Sequence, residues 1–425
     1  MTQDPYRCVW AEQGLALHNS GGALLCCHSR TFLQDNNGQR IFWHTHSIDD
    51  ALNSATRRDI QSALSRGEQP QNCEACFSVE NAGGQSRRQA HNRLFDGHKP
   101  VPVRMLDLKL GNICNLSCRT CNPYVSSKWY SDWWAVIDQH KHEHDSYRDY
   151  LDDKYLTSKL AYNNNNTQFW QSLAALIPGV DYIDIYGAEP MMIDQLWHVL
   201  SDTVRSSEHC DKSVHFNTNC TIWDQERIDI LDRFREIYID LSIDGLDTKF
   251  EYLRNGADWQ TVLANIDRYR AWAEKRWSRG RDIHINICIT ISLFNILDLP
   301  EITSFFDHRK INWHINHAHM PHWVNFKILP DDIKKHVSQY LEATKPGKSK
   351  HYHDMIDRDV IAYMNMPLEN PNAGMQEPSH VYQQRMFQEW MRVTKELDSR
   401  RGQDFEQTFP KLYEMVKADW PQASH

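Results

Sequence analysis

Two absences in this chain of 425 residues each remove a class of function. There is no excess of basic residues: Lys and Arg total 47 against 56 Asp and Glu, a formal charge of −9. A nucleic-acid surface normally needs a basic stripe, and this balance argues against one. There is also no basic-then-apolar leader and no run of 18 apolar residues, so the expectation is a soluble, cytoplasmic protein without a membrane segment. Cysteine, by contrast, is plentiful at 11 residues. So many thiols would be scrambled in an oxidising compartment, and C-x2-C clustering in a large chain points to metal binding in a reducing one. The length suggests two to three domains, and a hydrophobic content of 40% is enough for a sizeable core. The 15 tryptophans read as core and interface filler.

Cys114, Cys118 and Cys121 stand as C-N-L-S-C-R-T-C directly after the strand-like run 104–110. Three thiolates on a loop leaving a strand suit three irons of a [4Fe–4S] cube, and a missing fourth Cys leaves one iron open. Zinc normally takes four ligands in paired spacings, and no fourth ligand follows locally.

From about residue 103 to 321, short β-branched or apolar runs alternate with longer helical patterns. The strand candidates are 105–110, 182–186, 214–218, 237–243, 283–291 and 313–319, with amphipathic stretches at 191–206, 259–277 and 299–308. Such alternation predicts an α/β fold with a parallel sheet and crossover helices. Six strands are fewer than the eight of a closed barrel, which predicts a partial (β/α)6 barrel. Chemistry in such sheets sits at the C-terminal strand ends. There the chain places Tyr186-Gly-Ala-Glu-Pro-Met191, Phe216-Asn-Thr-Asn-Cys220 and Asp240-Leu-Ser-Ile-Asp-Gly245, with Arg254 twelve residues past Ser242. Gly187 and Ala188 let backbone approach a ligand, Glu189 offers a carboxylate to an ammonium group, and Pro190 suits a first helical turn. An Asp-Gly pair such as Asp244-Gly245 is also an ordinary turn.

The spacing C-x3-C-x2-C, followed in order by these segments, resembles the radical S-adenosylmethionine (SAM) superfamily. The resemblance implies that the triad holds a [4Fe–4S] cluster whose open iron chelates SAM. It also implies that Gly187, Ala188, Glu189 and Pro190 match the motif holding the SAM amino group. Asn219 falls in a T-N-G-like turn, while Ser242, Asp244 and Arg254 match a segment contacting the SAM ribose or carboxylate. Three positions depart from the pattern. Thr120 replaces an aromatic residue before the third Cys, Ala188 replaces a Gly, and Cys220 stands where Gly is usual.

Residues 1–95 carry five more cysteines: Cys8, Cys26, Cys27, Cys73 and Cys76. Residues 21–27 read as a turn and short strand. Residues 48–66 read as a helix capped by Ser47 with Asp50 and stopped by Gly67, with Cys73-Glu-Ala-Cys76 on a loop beyond it. A Cys, another 18 residues later and a distant C-x2-C resemble the twitch domain of radical SAM enzymes. That likeness implies an auxiliary [4Fe–4S] cluster on Cys8, Cys26, Cys73 and Cys76, with Cys27 able to replace Cys26. The alternatives are a zinc ribbon on the same thiolates, or a cluster with three protein ligands if Cys8 stands apart.

His140, His142 and His144 read as a solvated face, and residues 163–166 as a polar loop. His314, His317, His319 and His322 cluster at the last strand end, where His317 and His319 share a face that suits substrate hydrogen bonding or a metal. Cys210, Cys220 and Cys288 read as small buried hydrophobes. The tail is helical in pattern over 330–344 and 381–397.

The expected organisation is a small N-terminal cluster-binding domain (1–95), the barrel (96–325) and a helical C-terminal region (326–425). The expected activity is generation of a 5′-deoxyadenosyl radical for hydrogen abstraction, with an external one-electron reductant such as flavodoxin or ferredoxin. The substrate classes are a small polar metabolite or sugar, or a ribosomal peptide; the non-enzymatic alternative is a metal-stabilised interaction protein.

Overall fold

The computed structural model describes residues 4–29, 31–43, 45–97, 99–137, 167–205, 210–368 and 379–420. His140, His142, His144 and residues 163–166 lie outside the described residues.

The architecture is mixed α/β around one eight-stranded sheet. Its strands are β1 (Gly14–Leu17), β2 (Ala23–Leu24), β3 (Met105–Leu108), β4 (Tyr182–Ile185), β5 (Cys210–Thr218), β6 (Phe234–Ser242), β7 (Asp282–Ile291) and β8 (Asn312–His317). The order is β2-β1-β3-β4-β5-β6-β7-β8. Strands β3 to β8 run parallel in chain order, as the alternating pattern predicted, and differ from the expected runs by a few residues at their ends. β1 lies parallel beside β3, and β2 pairs antiparallel with β1, so the N-terminal segment extends the same sheet.

Apolar residues on one face of each strand meet the crossover helices. Leu106, Leu108, Ile183, Ile185, Val214, Phe216, Ile237, Ile239, Leu241, Ile287 and Ile289 are all buried there. The helices covering them include Asp194–Arg205, Trp259–Trp277 and Leu299–His308. Asp258 caps the second of these by accepting a hydrogen bond from the Thr261 amide. One contiguous apolar core runs from Val9 through the sheet to Val416 in the C-terminal region.

Two local expectations are corrected. The predicted helix over 48–66 is two helices, Ile48–Leu52 and Ala55–Ser65. Ser47 and Asp50 form the expected capping box on the first. Ser54 then accepts from the Arg57 amide and starts the second, which breaks the run. The Cys73–Cys76 segment is not a loop: Cys73 ends a short 3₁₀ turn, and Cys76 lies within helix Glu74–Asn81. Burial of Phe77 beneath the Arg88 guanidinium fixes that helix. No helix of the described residues is long and apolar enough to cross a membrane.

Candidate functional site

The C-terminal ends of β3 to β7 gather most of the segments singled out above. Cys114, Leu116 and Cys118 form a small buried cluster of their own, separate from the main core, with Cys121 and Ala257 packed against it. The Cys121 thiol is hydrogen-bonded to Cys118, which draws Cys118 below its usual value and pushes Cys121 well above. Burial pushes Cys114 up to about 12, and the nearby Cys118 charge adds to this. Among the described residues, no three His, Cys, Asp or Glu side chains are drawn together as tightly as a metal ion requires.

Glu189 is fully buried and ties three strand-end loops together. Its Oε1 accepts from the Thr218 hydroxyl at 2.9 Å and the Met191 amide at 3.0 Å, and Oε2 accepts from the Asn219 amide at 2.8 Å. Its own amide donates to the Ile113 carbonyl, just before Cys114. A carboxylate offers about four acceptor positions, so one is left for a ligand. Asn219 reaches the cysteine loop directly: its Nδ2 donates to Asn115 Oδ1 at 2.9 Å and lies 3.8 Å from Cys114 Sγ. Asp244 and Arg254 form a buried ion pair at 2.8 Å, and Asp244 also accepts from the Thr290 amide. Burial raises Asp244, and the adjacent guanidinium counters it. Ser242 ends β6 and is half-buried.

Backbone geometry explains two of the departures. Ala188 and Cys220 both have positive φ, 55° and 63°, the left-handed region that glycine adopts without penalty. Gly187 is also at positive φ, and a Cβ there would lie 2.8 Å from Asn19 Oδ1.

Three buried carboxylates and a histidine lie across the inner face of the sheet. Asp107, Asp184 and His215 occupy one row of β3, β4 and β5. His215 sits between Asp184, 2.9 Å from Nδ1, and Asp240, 3.0 Å from Nε2. Burial disfavours the imidazolium, but the two carboxylates outweigh it and hold His215 up at about 9. Arg87 pairs with the far side of Asp184 at 2.9 Å, and His314 approaches Asp240 at 3.6 Å. Asp184, His215, Asp240, Arg87 and His314 form one wall of a cavity of about 1000 Å³ that also touches Gly187, Asn122, Lys109, Asn217 and Thr290. Parallel strands covered on both faces are usually apolar on both. A polar inner face therefore marks a solvated site.

His317 and His319 line this cavity as expected, while His322 does not. His317 stacks on Tyr363 at 3.9 Å and its Nε2 meets the Asp359 carbonyl; His319 Nδ1 lies 3.0 Å from the Tyr363 hydroxyl. Cys210, Cys220 and Cys288 are buried, as predicted.

No protein-family model and no curated protein matches the chain. Solved structures do match, at low similarity. The chain is 12% identical to anSMEcpe with bound AdoMet and Cp18Cys peptide, over 60% of this chain and 61% of that one, with a TM-score of 0.33. It is 13% identical to TYW1 with a lysine-pyruvate adduct bound, over 59% and 72%, at 0.30. It is 14% identical to Streptococcus suis SuiB bound to precursor peptide SuiA, over 73% and 54%, at 0.31. The chain spans about six tenths of the length of the first of these.

In the N-terminal segment the structure distinguishes the adjacent cysteines. The Cys26 thiol is raised by burial and by the neighbouring charges of Cys27, Cys8 and Cys76. Cys73 is likewise raised by burial, then by Cys8 and Cys76. Cys27 instead lines the cavity; burial and the charge of Asp107 push it up to about 12. Burial works to raise Cys76, but hydrogen bonds from His28 and the Arg88 backbone, with the His28 charge, together outweigh it and lower the thiol. His28 lines the same cavity, so Cys27 and His28 form its wall toward the N-terminal cysteines.

The donor chemistry at the triad fits an iron–sulfur cluster. Three soft thiol ligands share one loop, and the buried Arg254 beside them has an Nε without a hydrogen-bond partner among the described residues. A buried cation at this point suits a group of net negative charge.

Proposed function

We propose that the protein is a cytoplasmic radical SAM enzyme acting on a small polar substrate, built on a partial (β/α)6 barrel. The observation that carries this reading is the convergence of the Cys114–Cys118–Cys121 loop with Glu189, Asn219 and the Asp244–Arg254 pair at adjoining strand ends. Cys114, Cys118 and Cys121 would ligate the cluster. Gly187, Ala188, Glu189 and Pro190 would hold the amino end of SAM, and Asn219, Ser242, Asp244 and Arg254 its remaining polar groups. When bound, the cluster and SAM supply a 5′-deoxyadenosyl radical that abstracts hydrogen from an unreactive C–H bond.

The chain's own residues do the binding and orientation. Glu189 presents its remaining lone pair to an ammonium while its other acceptor positions hold the surrounding loops. The cavity presents Lys109, Asn217, His317 and the hydrogen-bonded Asp184, His215 and Asp240, with few aliphatic groups. Such a lining suits a small polar metabolite or sugar, held by hydrogen bonds that an apolar side chain would leave unsatisfied.

Cys8, Cys26, Cys73 and Cys76 would hold a second [4Fe–4S] cluster in a twitch-like segment (1–95), beside the barrel (96–325) and the helical region (326–425). Cys26 is preferred over Cys27 because it neighbours Cys8 and Cys76, whereas Cys27 lines the cavity. With four thiols to hold it, such a group would supply electron-accepting chemistry rather than a substrate-binding site. Net two-electron oxidation or a radical cross-link would follow, with a flavodoxin or ferredoxin as the external reductant. Anaerobic reconstitution with metal analysis and a visible spectrum tests the reading. Iron with broad charge-transfer absorption is expected, and zinc in place of iron would sink it.

A further inference from the structure

The C-terminal region carries no motif, yet its long helix, Ser379–Arg401, reaches the cysteine loop by two arms. The first runs through Asp398. Its Oδ1 accepts from the Arg119 guanidinium and from the Tyr252 hydroxyl, the latter at 2.8 Å. Gln403 Oε1 accepts from the same Arg119 nitrogen at 2.8 Å. Arg119 lies between Cys118 and Cys121; it is buried, with its guanidinium 3.8 Å from the centre of the Tyr252 ring. The second arm runs through Arg401. Its guanidinium lies 4.9 Å over the Trp129 ring, and its Nε donates to Asp132 at 2.9 Å. Trp129 in turn donates from Nε1 to the Cys118 carbonyl at 2.7 Å. Cys118 is thus bracketed, with its carbonyl held by one arm and the next residue by the other.

Both arms end in buried positive charge. Arg119 and Arg401 each have an Nη1 without a hydrogen-bond acceptor among the described residues. Charge acts strongly where water is excluded, and hydrogen bonds and charge near a cluster are established determinants of its potential. We propose that Asp398 and Arg401 are positioning residues for the cysteine loop, and that this helix places the buried charge that sets the reduction potential of the cluster held there. The inference rests on the metal reading of the triad.

The test uses the full-length, reconstituted protein. Iron content and the midpoint potential of the SAM-responsive EPR signal are compared for wild type, Asp398→Asn, Arg401→Gln and Arg401→Lys. Removing the carboxylate leaves Arg119 less neutralised, so Asp398→Asn should raise the potential. Removing the cation should lower it in Arg401→Gln, and Arg401→Lys should return it toward wild type. A merely structural role would not give shifts of opposite sign. Unchanged potentials, shifts in the same direction, or equal loss of iron in Arg401→Gln and Arg401→Lys would overturn the proposal. A wild-type protein that takes up no iron would instead overturn the metal reading, a result recognisable before any variant is compared.

Discussion

Replacing Glu189 by Gln removes a charge and turns one of two acceptor oxygens into a donor. The better of the two orientations keeps the amide oxygen where Oε1 serves Thr218 and Met191, and places the NH₂ 2.8 Å from the Asn219 amide. That sets donor against donor and leaves a buried backbone N–H unpaired, at a cost of about 1–3 kcal/mol. The two remaining hydrogen bonds fall from charge-assisted to neutral strength, a further loss of about 1 kcal/mol each. Neutralising a buried carboxylate offsets part of this, because burial already raises the Glu189 pKa. The net destabilisation is on the order of 2 kcal/mol. The perturbed turn also carries the Asn219 side chain that bonds Asn115 beside Cys114, so the disturbance enters the cofactor site. Denaturant unfolding and SAM titration on the same preparation read both effects. SAM affinity should fall roughly tenfold or more, since each factor of ten corresponds to about 1.4 kcal/mol. Iron content should persist, because the three thiols remain. An unchanged unfolding midpoint, or unchanged SAM affinity, would remove Glu189 from the site.

Three further outcomes are expected. His215 rises from 6.5 to about 9 on folding, so its contribution is fully present below pH 6.5 and is lost as pH rises through 9. That contribution is on the order of 3 kcal/mol; denaturant unfolding across this window should show the decline in wild type and its absence in His215→Gln, and parallel profiles would contradict it. Ala188→Gly should raise the melting temperature, because a left-handed Ala costs roughly 1–2 kcal/mol and the smaller entropy cost of Gly only partly offsets the relief; a lowered melting temperature would contradict it. Changing Cys73 and Cys76 together to Ala should lower the iron count by about four, the stoichiometry of a [4Fe–4S] cluster, while SAM cleavage without substrate survives. One zinc per chain in the wild type would contradict it.

The parallel strands were legible because β-branched runs alternate with helical periods, and each helix buries the apolar face that its pattern announces. β1 was not, since four residues beginning with Gly14 carry little pattern and its place is set by pairing with distant β3. The strand-end segments were readable as motifs, but their mutual ties, such as Thr218 to Glu189, depend on tertiary packing. The polar cavity does leave a signal in the sequence. Asp107 and Lys109, His215 and Asn217, and His314 and Asn316 alternate with apolar residues along strands that a parallel sheet would otherwise fill with hydrophobes. Cys26 and Cys27 were inseparable in sequence, because adjacent residues differ only in the side they face. The link from Asp398 to Arg119 spans 279 positions and leaves no local trace.

The most direct measurement is 5′-deoxyadenosine formed from SAM by the anaerobically reconstituted, chemically reduced protein, with Cys118→Ala measured in parallel. Product is expected from the wild type and its loss in the variant, whose cluster would keep only two of its three thiolates. No product from an iron-loaded wild type, or product from Cys118→Ala at the wild-type rate, would contradict it.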